Sequence, residues 1–295
     1  MATTIPTPST PAQQAPRGRS RWMRIARFRH WVQFAFAGLW LGPMGLRLHW
    51  LPGCVFHCYG CPLATLACPV GVVAQFSALH VFPLLAAGVV VAAAALVGSL
   101  ICGWACPFGL LQDLLGKVPT PRWRIPSWMS HGRYVVLAGL VVAVPYVYGE
   151  AHRLFICRVC PAGVMEAGLP SLASTALSGQ PYLGMSWVKW ALLGGFAAAA
   201  LVAYRPWCAV LCPLGGFLGL FNRLSVFHLR FDRQACTECN LCRSRCRVGV
   251  TVERRVNTTR CIRCLECTAC GALTPAPGSR NKPTPTGSAW PSGGG

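Results

Sequence analysis

The sequence predicts an all-α membrane protein: four transmembrane helices in two duplicated halves, with a small cysteine-rich domain at the C-terminal end. Three observations carry this. The 295 residues are 54% hydrophobic and only 12% charged, a composition suited to lipid. A pair of Cys-Pro motifs occurs twice along the apolar part, once per half. Between Cys236 and Cys270 the cysteines then crowd at two- and three-residue gaps.

Taken in order, residues 1–29 form a basic N-terminal tail expected to be disordered; its first 16 residues are Pro/Thr/Ala/Gln-rich, and six arginines follow from Arg17 to Arg29. A first apolar run extends from about Trp31 to Leu51, with no small-residue cleavage site after it, and reads as a span rather than a signal peptide. Phe82–Ile101, Tyr134–Tyr148 and the Ala/Gly-rich Trp187–Tyr204 follow, each near the ~20 residues that cross ~30 Å of hydrocarbon. Residues 30–230 thus form a transmembrane domain. Lys117, Arg122, Arg124 and Arg133 separate the second and third runs, and Arg205, Arg223 and Arg230 follow the fourth. The segment Pro52–Val81 has no Lys or Arg. Both termini are therefore expected in the cytoplasm. The net charge of +20 is of the positive-inside kind, and no nucleic-acid-binding motif accompanies it. No partner of that class is expected.

The membrane cysteines repeat. Cys102-x3-Cys106-Pro107 ends the second run and Cys208-x3-Cys212-Pro213 ends the fourth, both expected at the inner face. Cys58-x2-Cys61-Pro62 precedes the second run and Cys157-x2-Cys160-Pro161 precedes the fourth, both at the outer face. Proline suits the first helical position, which leaves the cysteine before it at the cap, beside free N–H groups that favour thiolate. Repeated halves tend to place sites at their interface. Cys102, Cys106, Cys208 and Cys212 could thus form an inner four-thiolate site. Cys58, Cys61, Cys157 and Cys160 could form an outer metal site or, in an oxidising compartment, disulfides. Cys54 and Cys68 are left over, as a disulfide or as an extra ligand. The two sets should lie about a membrane thickness apart, a gap that calls for an intermediate carrier such as a quinone or haem.

Residues 231–273 form the last domain, before a Pro/Gly/Ser/Thr-rich tail over 274–295 expected to be disordered. The runs are Cys236-x2-Cys239-x2-Cys242-x3-Cys246 and Cys261-x2-Cys264-x2-Cys267-x2-Cys270. In two-cluster ferredoxins the last cysteine of each run ligates the other run's cluster. That rule gives Cys236, Cys239, Cys242 and Cys270 for one [4Fe–4S] cluster and Cys261, Cys264, Cys267 and Cys246 for a second, in a ferredoxin-like fold. Two four-cysteine zinc sites are the alternative, although zinc has no use for a third cysteine at the same spacing.

The paired Cys-x3-Cys-Pro motifs followed by the double cysteine run resemble the NapH/NosR/CcoG-type membrane polyferredoxins, over roughly residues 30 to 270. The resemblance implies a multi-pass protein of the bacterial inner membrane that passes electrons between the quinol pool and a redox partner, as the membrane component of a quinol dehydrogenase. It carries no flavin here, for which the chain has no room. An assembly factor that reduces a metal for another enzyme, or a non-redox zinc protein, are the alternatives. The seven histidines lie near span ends, so no haem between helices is supported. Asp113 and Glu166 are weak candidates for accepting a quinol proton, because intramembrane carboxylates are often functional. Neither a P-loop nor a dinucleotide-binding glycine pattern is present.

Overall fold

The computed structural model describes residues 21–40, 48–55, 58, 66–120, 123–178, 187–236, 238–252 and 256–277. It is mostly helical. Helix α1 (Arg21–Arg27) and α2 (Arg29–Trp40) open the chain, so part of the expected tail is helical. Helix α2 ends shortly before Gly42-Pro43, a pair that breaks helices. The end of the first expected span is instead a strand, β1 (Leu48–Pro52), paired in parallel with β2 (Leu66–Ala67).

Next come α3 (Pro69–Ala78), α4 (Leu84–Val97), α5 (Leu100–Trp104) and α6 (Pro107–Leu115). Gly98, at φ 54°, separates α4 from α5; only glycine takes that conformation freely. A continuous helical run, α7 (Trp128–Tyr148), is the one segment among the described residues long and apolar enough to cross a bilayer. Its middle, Val136–Ala143, is wound as a π-helix ahead of Pro145, whose missing N–H loosens the turn before it. The apolar helices α3, α4 and α10 (Trp187–Val202) are shorter. Between α7 and α10 lie α8 (Ile156–Val159) and a helical stretch, α9, that runs from Pro161–Gly163 through Val164–Gly168 to Leu169–Ser178. Arg205, at φ 47°, and Pro206 end the fourth apolar run, and α11 (Pro213–Leu220) follows a π-turn over Trp207–Leu211.

These helices share one core, in which Cys68, Val90, Phe108, Val136, Val141 and Leu218 are buried together. Their outward faces are apolar as well: Leu84, Val135, Val147 and Trp187 are each at least two thirds exposed. Large exposed apolar surface of this kind marks contact with lipid or with another protein.

The C-terminal module has its own core around Leu229, Cys242, Val252, Leu265 and Leu273. Strands β3 (Phe227–Phe231) and β4 (Leu273–Pro277) pair antiparallel, Phe227 opposite Pro277 and Phe231 opposite Leu273, and close it. Helix α12 (Leu241–Arg245) packs on the 3-10 turn Glu266–Cys270. The module sits tightly on the helices. Asn222, fully buried, donates to the carbonyls of Thr258 and Cys261, both at 2.8 Å. Arg263, also buried, donates to the carbonyls of Val97 (2.9 Å) and Asn222 (2.5 Å). A Cβ on Gly103 would stand 2.5 Å from the Ile262 carbonyl, and one on Gly219 would strike the Thr259 carbonyl. The two glycines let backbone meet backbone.

Candidate iron–sulfur centres

The Cys-Pro corners adopt the expected local structure. Cys68, Cys106, Cys160 and Cys212 each hold extended backbone (φ −67 to −80°, ψ 111 to 122°) one residue before a helix that starts on proline. In each case the residue three places on is glycine: Gly71, Gly109, Gly163 and Gly215. A Cβ on Gly109 would crowd the carbonyl of Cys102, at 3.0 Å, while one on Gly163 or Gly215 would make ordinary contact with the carbonyl of Cys157 or Cys208, at 3.4 and 3.5 Å. In every case the first cysteine of the pair folds back over the helix that the second one caps. The N–H of Gly215 donates to the Cys212 sulfur at 3.3 Å, and such a bond favours the thiolate.

Cys102, Cys106, Cys208 and Cys212 come together. They line one cavity, with Phe108 and Leu214 among its apolar walls and Arg133, Arg205 and Arg260 also in its lining. Arg133 is 3% exposed, and its Nε and Nη2 have no hydrogen-bond partner among the described residues. A buried guanidinium with two unbonded nitrogens, lining the same cavity as four sulfurs, suits an anionic cluster. Gln112 adds a donor to the Cys208 sulfur at 3.1 Å.

Behind this cavity lies an ion-pair group that composition did not reveal. Asp113, 1% exposed, accepts from Arg205 Nε (2.8 Å), Arg205 Nη2 (2.5 Å) and Arg29 Nη2 (3.0 Å). Arg205 also donates to the Cys102 carbonyl at 2.8 Å, and Gln33 to the Gly103 carbonyl at 2.9 Å. Burial would raise the Asp113 carboxyl, but Arg205 and Arg29 outweigh it and hold the group down at about 2. Asp113 therefore stays ionised near neutrality and is a poor acceptor for a quinol proton. Its work is to fix two arginines, read from sequence as inner-face charge, against the Cys102 turn. Glu166 is the opposite case: burial pushes its carboxyl up to about 7, against the N–H of Cys58 that it accepts at 2.5 Å.

In the C-terminal module, Cys246, Cys261, Cys264 and Cys267 line a second cavity, walled by Leu229, Val250, Val252 and Leu265. This places the last cysteine of the first run among those of the second. Val250 N–H donates to the Cys246 sulfur (3.3 Å) and Arg263 N–H to the Cys261 sulfur (3.4 Å). The residues flanking the middle cysteine of each run, Glu238 and Asn240, then Arg263 and Leu265, all have positive φ, between 50 and 63°. The two runs thus wind alike. Cys236, Cys239 and Cys242 belong to the same packed core; the side chain of Cys270 lies outside the described residues. Cys261, Ile262 and Val248 line both cavities, so one wall separates them.

The outer cysteines regroup. Cys61 lies outside the described residues. Cys68 takes a place beside Cys58, Cys157 and Cys160: Cys160 is within electrostatic reach of Cys68 and Cys58, and Cys157 of Cys58. Cys54 instead lines the inner cavity. No disulfide joins Cys54 to Cys68, which lie with different sets. Nor are the two sets a membrane thickness apart. Cys54 reaches one and Cys58 the other, and four residues of chain extend at most about 14 Å. Helices α3 and α11, capped by Cys68 and Cys212, are also in contact. Among the described residues no three Cys, His, Asp or Glu side chains are gathered closely enough for one metal ion. Zinc at ~2.3 Å from each sulfur draws its thiolates to roughly 3.8 Å from one another, whereas a cubane holds them farther apart.

A family model described as a 4Fe-4S binding domain matches the chain twice, over residues 79–126 and 183–232. Each matched segment contains one Cys-x3-Cys-Pro pair, so the description falls on the inner set. The chain is similar to an uncharacterized protein of Methanocaldococcus jannaschii, with 29% identity over 59% of this chain and 69% of that protein. It is also similar to the methylamine utilization ferredoxin-type protein MauN of Methylorubrum extorquens, with 31% identity over 61% of this chain and 55% of MauN. Regulatory protein NosR of Pseudomonas aeruginosa matches at 26% identity, over 55% of this chain and 22% of NosR. The chain thus spans between about a fifth and about two thirds of these relatives' length. No solved structure matches. The matches bear out the resemblance to the NapH/NosR/CcoG-type polyferredoxins.

Proposed function

We propose that this chain, an iron–sulfur protein resembling the NapH/NosR/CcoG-type polyferredoxins, relays single electrons between membrane quinol and a separate redox protein. The observation that carries the reading is the wall of Cys261, Ile262 and Val248 common to the inner cavity and the cavity of the C-terminal module. Thiolate sites that share a wall are stations of one path. Zinc sites would have no need to adjoin.

In this reading Cys102, Cys106, Cys208 and Cys212 hold one [4Fe–4S] cluster. Cys246, Cys261, Cys264 and Cys267 hold a second, and Cys236, Cys239, Cys242 and Cys270 a third. Bound clusters supply one-electron acceptance and donation. The chain supplies the rest. Phe108 and Leu214 exclude water from the inner site, Arg133 and Arg205 offset its negative charge, and the N–H groups of Gly215, Val250 and Arg263 stabilise bound thiolates. Four spans lie in the bacterial inner membrane, with both termini in the cytoplasm. The exposed apolar faces of α4, α7 and α10 support lipid as the surrounding medium. Glu166, not Asp113, is the carboxylate suited to take a quinol proton.

The test is anaerobic reduction by a short-chain quinol, followed by the visible absorbance of the purified protein. Bleaching of the cluster band is expected. A coloured protein that quinol leaves oxidised and dithionite bleaches would refute quinol as the donor and favour a metal-reducing assembly factor. A colourless, zinc-loaded protein would refute both.

A further inference from the structure

The cysteines on the other side of the Cys54–Cys58 link are not used by the relay above. We propose that Cys58, Cys68, Cys157 and Cys160 bind a further [4Fe–4S] cluster, with Cys68, rather than Cys61, as the fourth ligand.

The argument is one of reciprocal geometry. Two of the four Cys-Pro-x-Gly corners are Cys68-Pro69-Val70-Gly71 and Cys160-Pro161-Ala162-Gly163. A Cβ on Gly71 would stand 3.4 Å from the Cys157 sulfur, and a Cβ on Gly163 would stand 3.6 Å from the Cys58 sulfur. Each half's glycine thus faces the other half's first sulfur, the i-to-j and j-to-i relation of two similar units packed about a two-fold axis. Local sequence gives no reason for this exchange. It results when both corners close on one object between them. The segment Cys61-Pro62-Leu63-Ala64 lacks the glycine that the other four corners share.

The chemistry of the donors fits. Four thiolates from two halves match the ligand set of a cubane, and the N–H groups of Ala162 and Gly163 are directed at the Cys160 sulfur. No disulfide joins any two of the four. Cys68 is buried and Cys157 exposed, so the site has an apolar floor and one open edge. As a binding site it stands by itself; as an electron station it rests on the relay reading. Through Cys54, which lines the inner cavity, and Cys58, four residues on, it would extend that path beyond the inner cluster.

The test uses the full-length chain, purified anaerobically in detergent. About sixteen irons per chain are expected, four for each of four clusters. A Cys68→Ala/Cys157→Ala variant should lose about four of them and Cys61→Ser none. If Cys61→Ser loses four and Cys68→Ala none, the ligand assignment is overturned. In the unmodified protein, peptides carrying Cys58, Cys68, Cys157 and Cys160 should resist iodoacetamide until iron is chelated. Reaction before chelation, or protection lifted by a reductant alone, overturns the proposal. About twelve irons with those thiols reactive would sink this site and leave the relay standing. About eight irons, unchanged by Cys106→Ser, would sink the inner centre of the relay too.

Discussion

Replacing Asp113 with Asn keeps the shape of the side chain and removes the one negative charge between two buried guanidinium groups. Arg205, at most 2% exposed like Arg29, would then have no anion, and Arg29 would keep only its 3.5 Å contact with Glu266. Arg205 would keep its hydrogen bond to the Cys102 carbonyl but lose one of the two charged contacts that orient it, because the amide NH2 cannot accept. Breaking a buried ion pair from one side costs about 3–5 kcal/mol. In a chain of this size that corresponds to a fall in thermal midpoint of roughly 6–20 °C. The assay is thermal loss of cluster absorbance under argon, with iron counted before heating. The pH dependence supplies an internal control. The carboxyl is held at about 2 against an ordinary value of 3.8, so its stabilisation is fully present above about pH 4. It is lost as the pH falls from there through about 2. The gap between wild type and Asp113→Asn should be constant from pH 8 to pH 4 and narrow only below that. A midpoint within 2 °C of wild type at pH 7, or a gap that closes between pH 5 and 7, would refute the assignment of Asp113 as the anchor of this group.

Other outcomes follow from the same geometry. Gly219→Ala should loosen the C-terminal module from the helices by about 1–3 kcal/mol, as overpacking does; faster proteolysis after Phe231 reads it, and an unchanged cleavage rate would contradict the backbone contact at Thr259. Removing a buried cation that lines the inner cavity by Arg133→Met should make the more negative, reduced state harder to reach. An EPR-monitored redox titration would show the inner centre's midpoint shifted downward from wild type, and an unchanged midpoint would refute the role given to Arg133. Cys246→Ser should cost the same four irons as Cys264→Ser, since the two line one cavity, and additive losses in the double variant would break that pairing. Glu166→Gln should leave the iron content intact while slowing reduction by quinol but not by dithionite.

Much of the site could be read from residue order because the chemistry imposes spacing. A cysteine before a proline that opens a helix is a local arrangement, and Cys106 and Cys212 adopt it as expected. The outer set is less legible: Cys61 lies outside the described residues, and a glycine three residues on follows Cys68 but not Cys61. The arginines were misread for a different reason. Arg29 and Arg205 flank apolar runs, where the positive-inside bias explains any basic residue, and only the fold reveals that both turn inward onto Asp113. The end of the first apolar run was misplaced because hydropathy does not weigh Gly42-Pro43, and beyond it the backbone pairs as β1. Depth across the bilayer was the least legible quantity: apolar length sets where a run can cross, but not that the stretch from Cys54 to Cys58 joins two sets of thiols.

The wall formed by Cys261, Ile262 and Val248 has a consequence for kinetics. Many carriers ferry charge on a tethered head that swings between donor and acceptor, and their turnover slows in viscous medium. Here the head is clamped through Asn222, Arg263 and two bare glycines, with its sulfur already in the lining of the neighbouring chamber. Internal transfer should therefore be indifferent to glycerol or crowding, and only the arrival and departure of outside reactants should feel them.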